Sequence, residues 1–181
     1  MTGVEELAAA RAAYARRDWT EALAAYRAAG PAATHTADDA EALADAAWWC
    51  GDVDASLAAY EQAHQRHLDA GDHRRAAMAA LGLGYNLMLR ADSAQGSAWV
   101  GRAQRLLRDL PESPEHGYLA YIDVEAALGE GDAEAALAAS RRVQAMGDRH
   151  SDPTLVAVGL VGEGRAHVRT GAVADGMAPI P

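Results

Sequence analysis

Internal repetition constrains this chain more than any other feature. The stretch Arg17-Asp18-Trp19-Thr20-Glu21-Ala22-Leu23-Ala24-Ala25-Tyr26 returns 34 residues later as Gly51-Asp52-Val53-Asp54-Ala55-Ser56-Leu57-Ala58-Ala59-Tyr60, and Gly131-Asp132-Ala133-Glu134-Ala135-Ala136-Leu137-Ala138-Ala139-Ser140 is a third copy. Gly96 and Gly176 extend the series beyond Ser56 with Ala136 between them, at separations of 40, 40 and 40. A period of this length accommodates one helical hairpin, and a lone hairpin cannot bury its apolar face. The fold therefore has to be a stack. The recurring residue is always small, because two helices that cross closely leave no room there for a large side chain.

The residues between these landmarks favour helix. Alanine dominates a 181-residue chain that is half apolar and contains no phenylalanine, and alanine, leucine, glutamate and arginine lose least on entering a helix. Strand signals are absent. Helix starts are marked by Thr2-x-x-Glu5 and Thr36-x-x-Asp39 as capping boxes, and by Ser113-Pro114 and Asp152-Pro153 as a cap followed by proline. Gly51-Asp52, Gly71-Asp72, Gly131-Asp132 and Gly147-Asp148 each pair a glycine that ends one helix with an aspartate that starts the next. This punctuation predicts helices near 3–16, 19–29, 37–50, 53–70, 73–90, 93–109, 115–129, 133–146 and 153–170.

The first helices follow Ala80-x-x-Leu83-Gly84-x-x-Leu87 and Ala40-x-x-Leu43-Ala44-x-x-Ala47, while Asp123 and Glu163 stand where leucine is expected in the later units. With its period, the pattern resembles the tetratricopeptide-repeat family over nearly the whole chain. The resemblance implies an all-α fold: a right-handed α-solenoid of antiparallel hairpins with about nine helices. The chain reads as one repeat domain over 1–181, with repeats near 3–30, 37–70, 73–109 and 115–147 and an incomplete fifth at 153–181. Leu110-Pro111-Glu112-Ser113 reads as a connection within that array. Ala46-Ala47-Trp48-Trp49-Cys50-Gly51-Asp52, Ala70-Gly71-Asp72 and Glu115-His116-Gly117-Tyr118-Leu119 are similar to the repeat region of bacterial LuxR-type and cyclase-associated regulators. In those, the repeats receive a partner or effector. No output motif accompanies them in these residues, so a transcriptional role would belong to a longer relative or a separate partner.

Charge and motif content narrow the function further. A net charge of −10, with arginine as the only strong base, opposes direct nucleic-acid binding. No apolar run reaches the length of a membrane span and no leader pattern opens the chain, so a cytoplasmic location is expected. Cys50 is the single cysteine and reads as a small apolar residue at a helix end. Gly82-x-Gly84 and Gly162-x-Gly164 sit within helices and read as close-packing sites instead of a dinucleotide loop. His64 and His67, with Asp69, Asp72 and His73 nearby, read as a solvated helix end, so no metal and no cofactor is expected. No nucleophile, base and orienting group fall together, and an enzyme is not expected.

In tetratricopeptide hairpins the first helix lines the concave side. That register places Tyr14, Glu41, Asp45, Trp48, Trp49, Leu81, Tyr85, Met88, Tyr118, Tyr121 and Arg165 inward. Such a surface suits a protein or peptide segment, with a hydrophobic small molecule as the alternative occupant. Trp48, Trp49, Tyr85, Met88 and Tyr121 form the expected anchor, and Glu41, Asp45 and Arg165 the rim. The same register also suits packing between hairpins, and for any one residue the sequence leaves both readings open. Leu155, Val156, Leu160 and Val168 lack a following helix, which predicts self-association or instability through the C-terminal end.

Overall fold

The computed structural model describes residues 3–30 and 35–171, and among these the chain forms nine α-helices and no strand. They are α1 (Gly3–Ala15), α2 (Trp19–Ala29), α3 (Ala37–Trp49), α4 (Val53–Asp69), α5 (His73–Leu89), α6 (Ser93–Leu107), α7 (Pro114–Glu130), α8 (Ala133–His150) and α9 (Pro153–Arg169). The fold is all-α and repeat-like, with neighbouring helices packed in pairs. Among the described residues no helix is long and apolar enough to cross a membrane.

One local device makes most of the helix boundaries. Asp18, Asp52, Asp72, Asp92, Asp132 and Asp152 are N-caps whose side chains accept the backbone N–H three residues on, satisfying a donor that the first turn leaves free. The residue before each is left-handed. Glycine fills that place at Gly51, Gly71 and Gly131, with φ of 77°, 73° and 80°. Arg17, Ala91 and Ser151 fill it elsewhere, with φ of 60°, 63° and 53°, at a cost of about 1 kcal/mol each. Thr36 and Asp39 form the expected capping box. The box at Thr2 and the small residue Gly176 lie outside the described residues.

Gly147-Asp148 departs from the expectation. The helix does not end there but continues to His150, with Ser151 as its left-handed cap. Gly147 is buried, and a Cβ on it would lie 2.7 Å from the Val156 backbone nitrogen. Its role is to admit α9 against α8. The small residues of the repeat act as expected: Ala22, Ser56 and Ala136 are fully buried, and a Cβ on Gly96 would meet the Gly84 carbonyl oxygen at 2.8 Å. Gly82, Gly84 and Gly162 are likewise close-packing sites, against Tyr60, Gly96 and Ser140.

The chain divides between Asp109 and Leu110 into two compact units. In the first, the hairpins α1/α2, α3/α4 and α5/α6 pack in sequence, α2 on α3 and α4 on α5. Leu7, Tyr26 and Ala42 share one apolar cluster, and Leu23, Ala46 and Ala47 another. In the second, α9 packs on both α7 and α8 around Val124, Val143 and Leu155. Leu155 is therefore not waiting for a later helix: it is fully buried, and a Cβ on Gly117 would lie 2.3 Å from its Cδ2. Val156 is half-buried against Gly147 of α8, while Val168 is exposed.

Candidate functional site

In the first unit the expected inward residues separate into a paired polar set and an exposed apolar set. Tyr14 on α1 donates its hydroxyl to Asp45 Oδ2 at 2.6 Å, and Tyr60 on α4 donates to Asp45 Oδ1 at 2.7 Å. Burial, and then the Asp45 carboxylate, push both phenols well above their usual range. One turn earlier on α3, Glu41 accepts from His67 Nε2 at 2.9 Å and pairs with Arg75, which also pairs with Asp38. Arg11 forks onto Asp39 with two bonds of 2.8 Å. Glu41 and Asp45 are thus engaged by the protein's own side chains instead of standing free at a rim.

Trp49 ends α3 with 66% of its surface exposed, stacked on Trp19 of α2 with ring centroids 6.1 Å apart and planes 16° apart. Leu89 occupies the same place at the end of α5, two residues before the left-handed position, and is 57% exposed. Tyr85, one turn before it, is 37% exposed. Trp48 and Met88 are half-buried, Met88 lying over Gly96, and Leu81 is a core residue at 8% exposure. Beside the two stacked indoles an open cleft of about 900 Å³ is lined by Arg16, Arg17, Arg27, Trp19, Trp49 and Cys50 among others. Cys50, at the end of α3, is exposed there.

The second unit holds Tyr118, Tyr121 and Arg165. Tyr118 donates to Asp152, with 3.1 Å to the nearer oxygen, and burial followed by that carboxylate raises its pKa to about 12. Arg165 on α9 forks onto Glu125 on α7 and donates to the Tyr121 hydroxyl at 3.1 Å. Tyr121 is likewise pushed up to about 12, first by burial and then by Glu125, and the same pairing raises the Arg165 guanidinium. All three side chains tie one helix to another within the unit.

The fold is similar to the one in the crystal structure of BtubC (BKLC) from P. vanneervenii. The match has a TM-score of 0.64 at 16% sequence identity and covers 94% of this chain and 74% of that one. It shows the fold alone. No protein-family model matches the sequence, and no curated protein is similar to it.

The histidines correct the sequence reading. His64 and His67 are buried, not solvated: His64 Nδ1 lies 2.8 Å from the Ala76 carbonyl and its ring stands edge-on to Trp99, while His67 sits on Glu41. Asp38, Glu41 and His67 place three ligand-type atoms within 4.8 Å of one another, with the Arg75 guanidinium already compensating both carboxylates. Two aromatic residues escaped the sequence reading, and both carried a signal. Trp19 stands where the other second helices begin with Val53, Ser93 and Ala133, and Trp99 where they carry Ala25, Ala59 and Ala139. A large aromatic in a place of small residues marks a departure from bare repeat packing.

Proposed function

We propose that the chain is a non-catalytic recognition module whose first unit binds a protein segment along the ends of α3 and α5. The observation that carries this reading is the pair Trp49 and Leu89, exposed at equivalent places of successive hairpins. A stacked, rigid indole left in water is the kind of surface that association buries, and aromatic anchors commonly supply about 2 kcal/mol or more each. The resemblance to tetratricopeptide repeats and to the receiving regions of bacterial regulators supports the same reading. An exposed lone thiol, Cys50, suits a reducing compartment, and the proposal places the module in the cytoplasm. The second reading, a hydrophobic small molecule, draws on the cleft beside Trp19 and Trp49, whose volume lies in the range of ligand sites.

Native mass spectrometry of the protein isolated from its own cells, beside Trp49→Ala and Leu89→Ala, tests this. A polypeptide retained by the wild type and lost from both variants is expected. A retained metabolite would favour the second reading, and a cargo indifferent to both substitutions would remove the site.

A further inference from the structure

The second helices of the first unit carry a feature that the proposed site does not use. Trp99 on α6 takes a place held by alanine in the other copies, where Ala25, Ala59 and Ala139 are buried. It is only half-buried. Behind it stands a fixed floor: the buried His64 ring meets Trp99 edge-on at 5.1 Å and is anchored through Nδ1 to the Ala76 carbonyl. In front of it a groove of about 420 Å³ opens between α4 and α6, with Leu68 and Leu106 as further apolar lining.

The rim of this groove is basic. The Arg102 guanidinium lies 4.0 Å over the Trp99 ring, and Arg105 Nη1 lies 3.5 Å from where a Cβ of Gly101 would stand, so a mid-helix glycine leaves the space that this side chain borders. Arg11, Arg16, Arg27, Arg75 and Arg90 of the same unit each hold a carboxylate. Among the described residues of this unit Arg17, Arg66, Arg102, Arg105 and Arg108 hold none, and of these Arg102 and Arg105 line this groove together. Among the described residues that line the groove Glu61 is the one acid, and it pairs with neither guanidinium. In a chain of net charge −10, two unpaired arginines on an aromatic floor are an unusual local concentration of positive charge.

We infer that the α4/α6 groove binds an acidic polypeptide segment, its carboxylates on Arg102 and Arg105 and an adjacent apolar side chain on Trp99, Leu68 and Leu106. Guanidinium forks match carboxylates in shape as well as charge, and the apolar floor asks for a side chain that a bare anion lacks. A long polyanion such as DNA meets the net negative field of the whole protein, whereas a short segment answers to charges within a Debye length of about 8 Å. The groove is formed by second helices and does not depend on Trp49.

The test is fluorescence anisotropy with a labelled peptide of alternating glutamate and leucine, its glutamine and leucine counterpart, and a labelled oligodeoxynucleotide. The wild type should bind the acidic peptide at least about tenfold more tightly than the neutral one, and less tightly as salt rises. Arg102→Gln with Arg105→Gln, both exposed positions, should abolish that preference while circular dichroism shows the helices intact, and Arg105→Gln alone should reduce it. Trp49→Ala should leave it unchanged, which separates this site from the one proposed above. Equal affinity for the two peptides, or an arginine variant that binds as the wild type does, would overturn the inference. Tighter binding of the oligonucleotide, lost in the same variant, would replace the polypeptide with a nucleic acid.

Discussion

Asp39 is almost sealed from water yet carries a charge. Burial works against its ionised form, but the Arg11 fork and the Thr36 backbone N–H and hydroxyl prevail and hold its pKa at about 2. An unfolded aspartate titrates near about 3.9, so the folded value is depressed and the resulting stability is present above about pH 4 and lost as pH falls towards about 2. Because Arg11 is half-exposed, solvent screening leaves roughly 1 to 2 kcal/mol. Asp39→Asn should therefore be destabilised by about that amount in urea at pH 6, and the gap to the wild type should close between about pH 4 and pH 2. A gap independent of pH would show that shape, not charge, matters there. Asp45 offers a second test, since each of its oxygens accepts one phenol. Removing the Tyr60 hydroxyl leaves a half-buried carboxylate oxygen without its donor, and Tyr60→Phe should cost about 1 to 2 kcal/mol. In a double-mutant cycle with Asp45→Asn the two losses should not add.

At the scale of helices, glycines with opposite environments make opposite predictions. A Cβ on Gly147 would strike the Val156 backbone nitrogen at 2.7 Å and the Asp152 carbonyl oxygen at 3.1 Å, and backbone cannot swing aside as a side chain can. Gly147→Ala should push α9 off α8 and lower stability by about 2 kcal/mol or more. Gly129, inside α7, has nothing within 4 Å of its would-be Cβ, and Gly129→Ala should stabilise by about 0.5 to 1 kcal/mol. Denaturation midpoints moving in the same direction would contradict this account. The same glycines show what the sequence could convey. Aspartate caps after left-handed positions are local, so the helices were legible to within a few residues nearly everywhere. Gly147-Asp148 misled because the identical dipeptide there serves a tertiary approach, which no local pattern encodes. Register placed Tyr14, Asp45 and Tyr121 on the right helices. Their partners lie 31 residues away for Tyr14 and 44 for Tyr121, so pairing within the protein was not legible. The burial of His64 and His67 depends in the same way on Trp99 and Glu41 from other helices.

At the scale of the whole molecule, each compact unit contains the apolar residues it needs. In the first, Leu7, Ala10, Tyr26, Ala29 and Ala42 join the first hairpin to the second, and Ala40, Ala63 and Ala79 join the second to the third. The second unit has its own centre in Val124, Val143 and Leu155. Stability in stacked hairpins is close to a sum of the hairpins and their nearest-neighbour contacts, so residues 1–109 should fold without 110–181. That length is well above the roughly 40 residues below which a single core seldom suffices. The expected result is a fragment 1–109 with the circular dichroism of a helical protein and one cooperative urea transition. The Arg11–Asp39 fork and the Asp45 clamp both lie inside it, so Asp39→Asn should destabilise the fragment and the full chain equally, to within about 0.5 kcal/mol. A fragment that is helical but melts without cooperativity would show that its hairpins need the second unit. An Asp39→Asn effect present in the full chain and absent from the fragment would place the dependence at the first interhelical network, where hydrogen-exchange protection of α1 and α3 would report it directly.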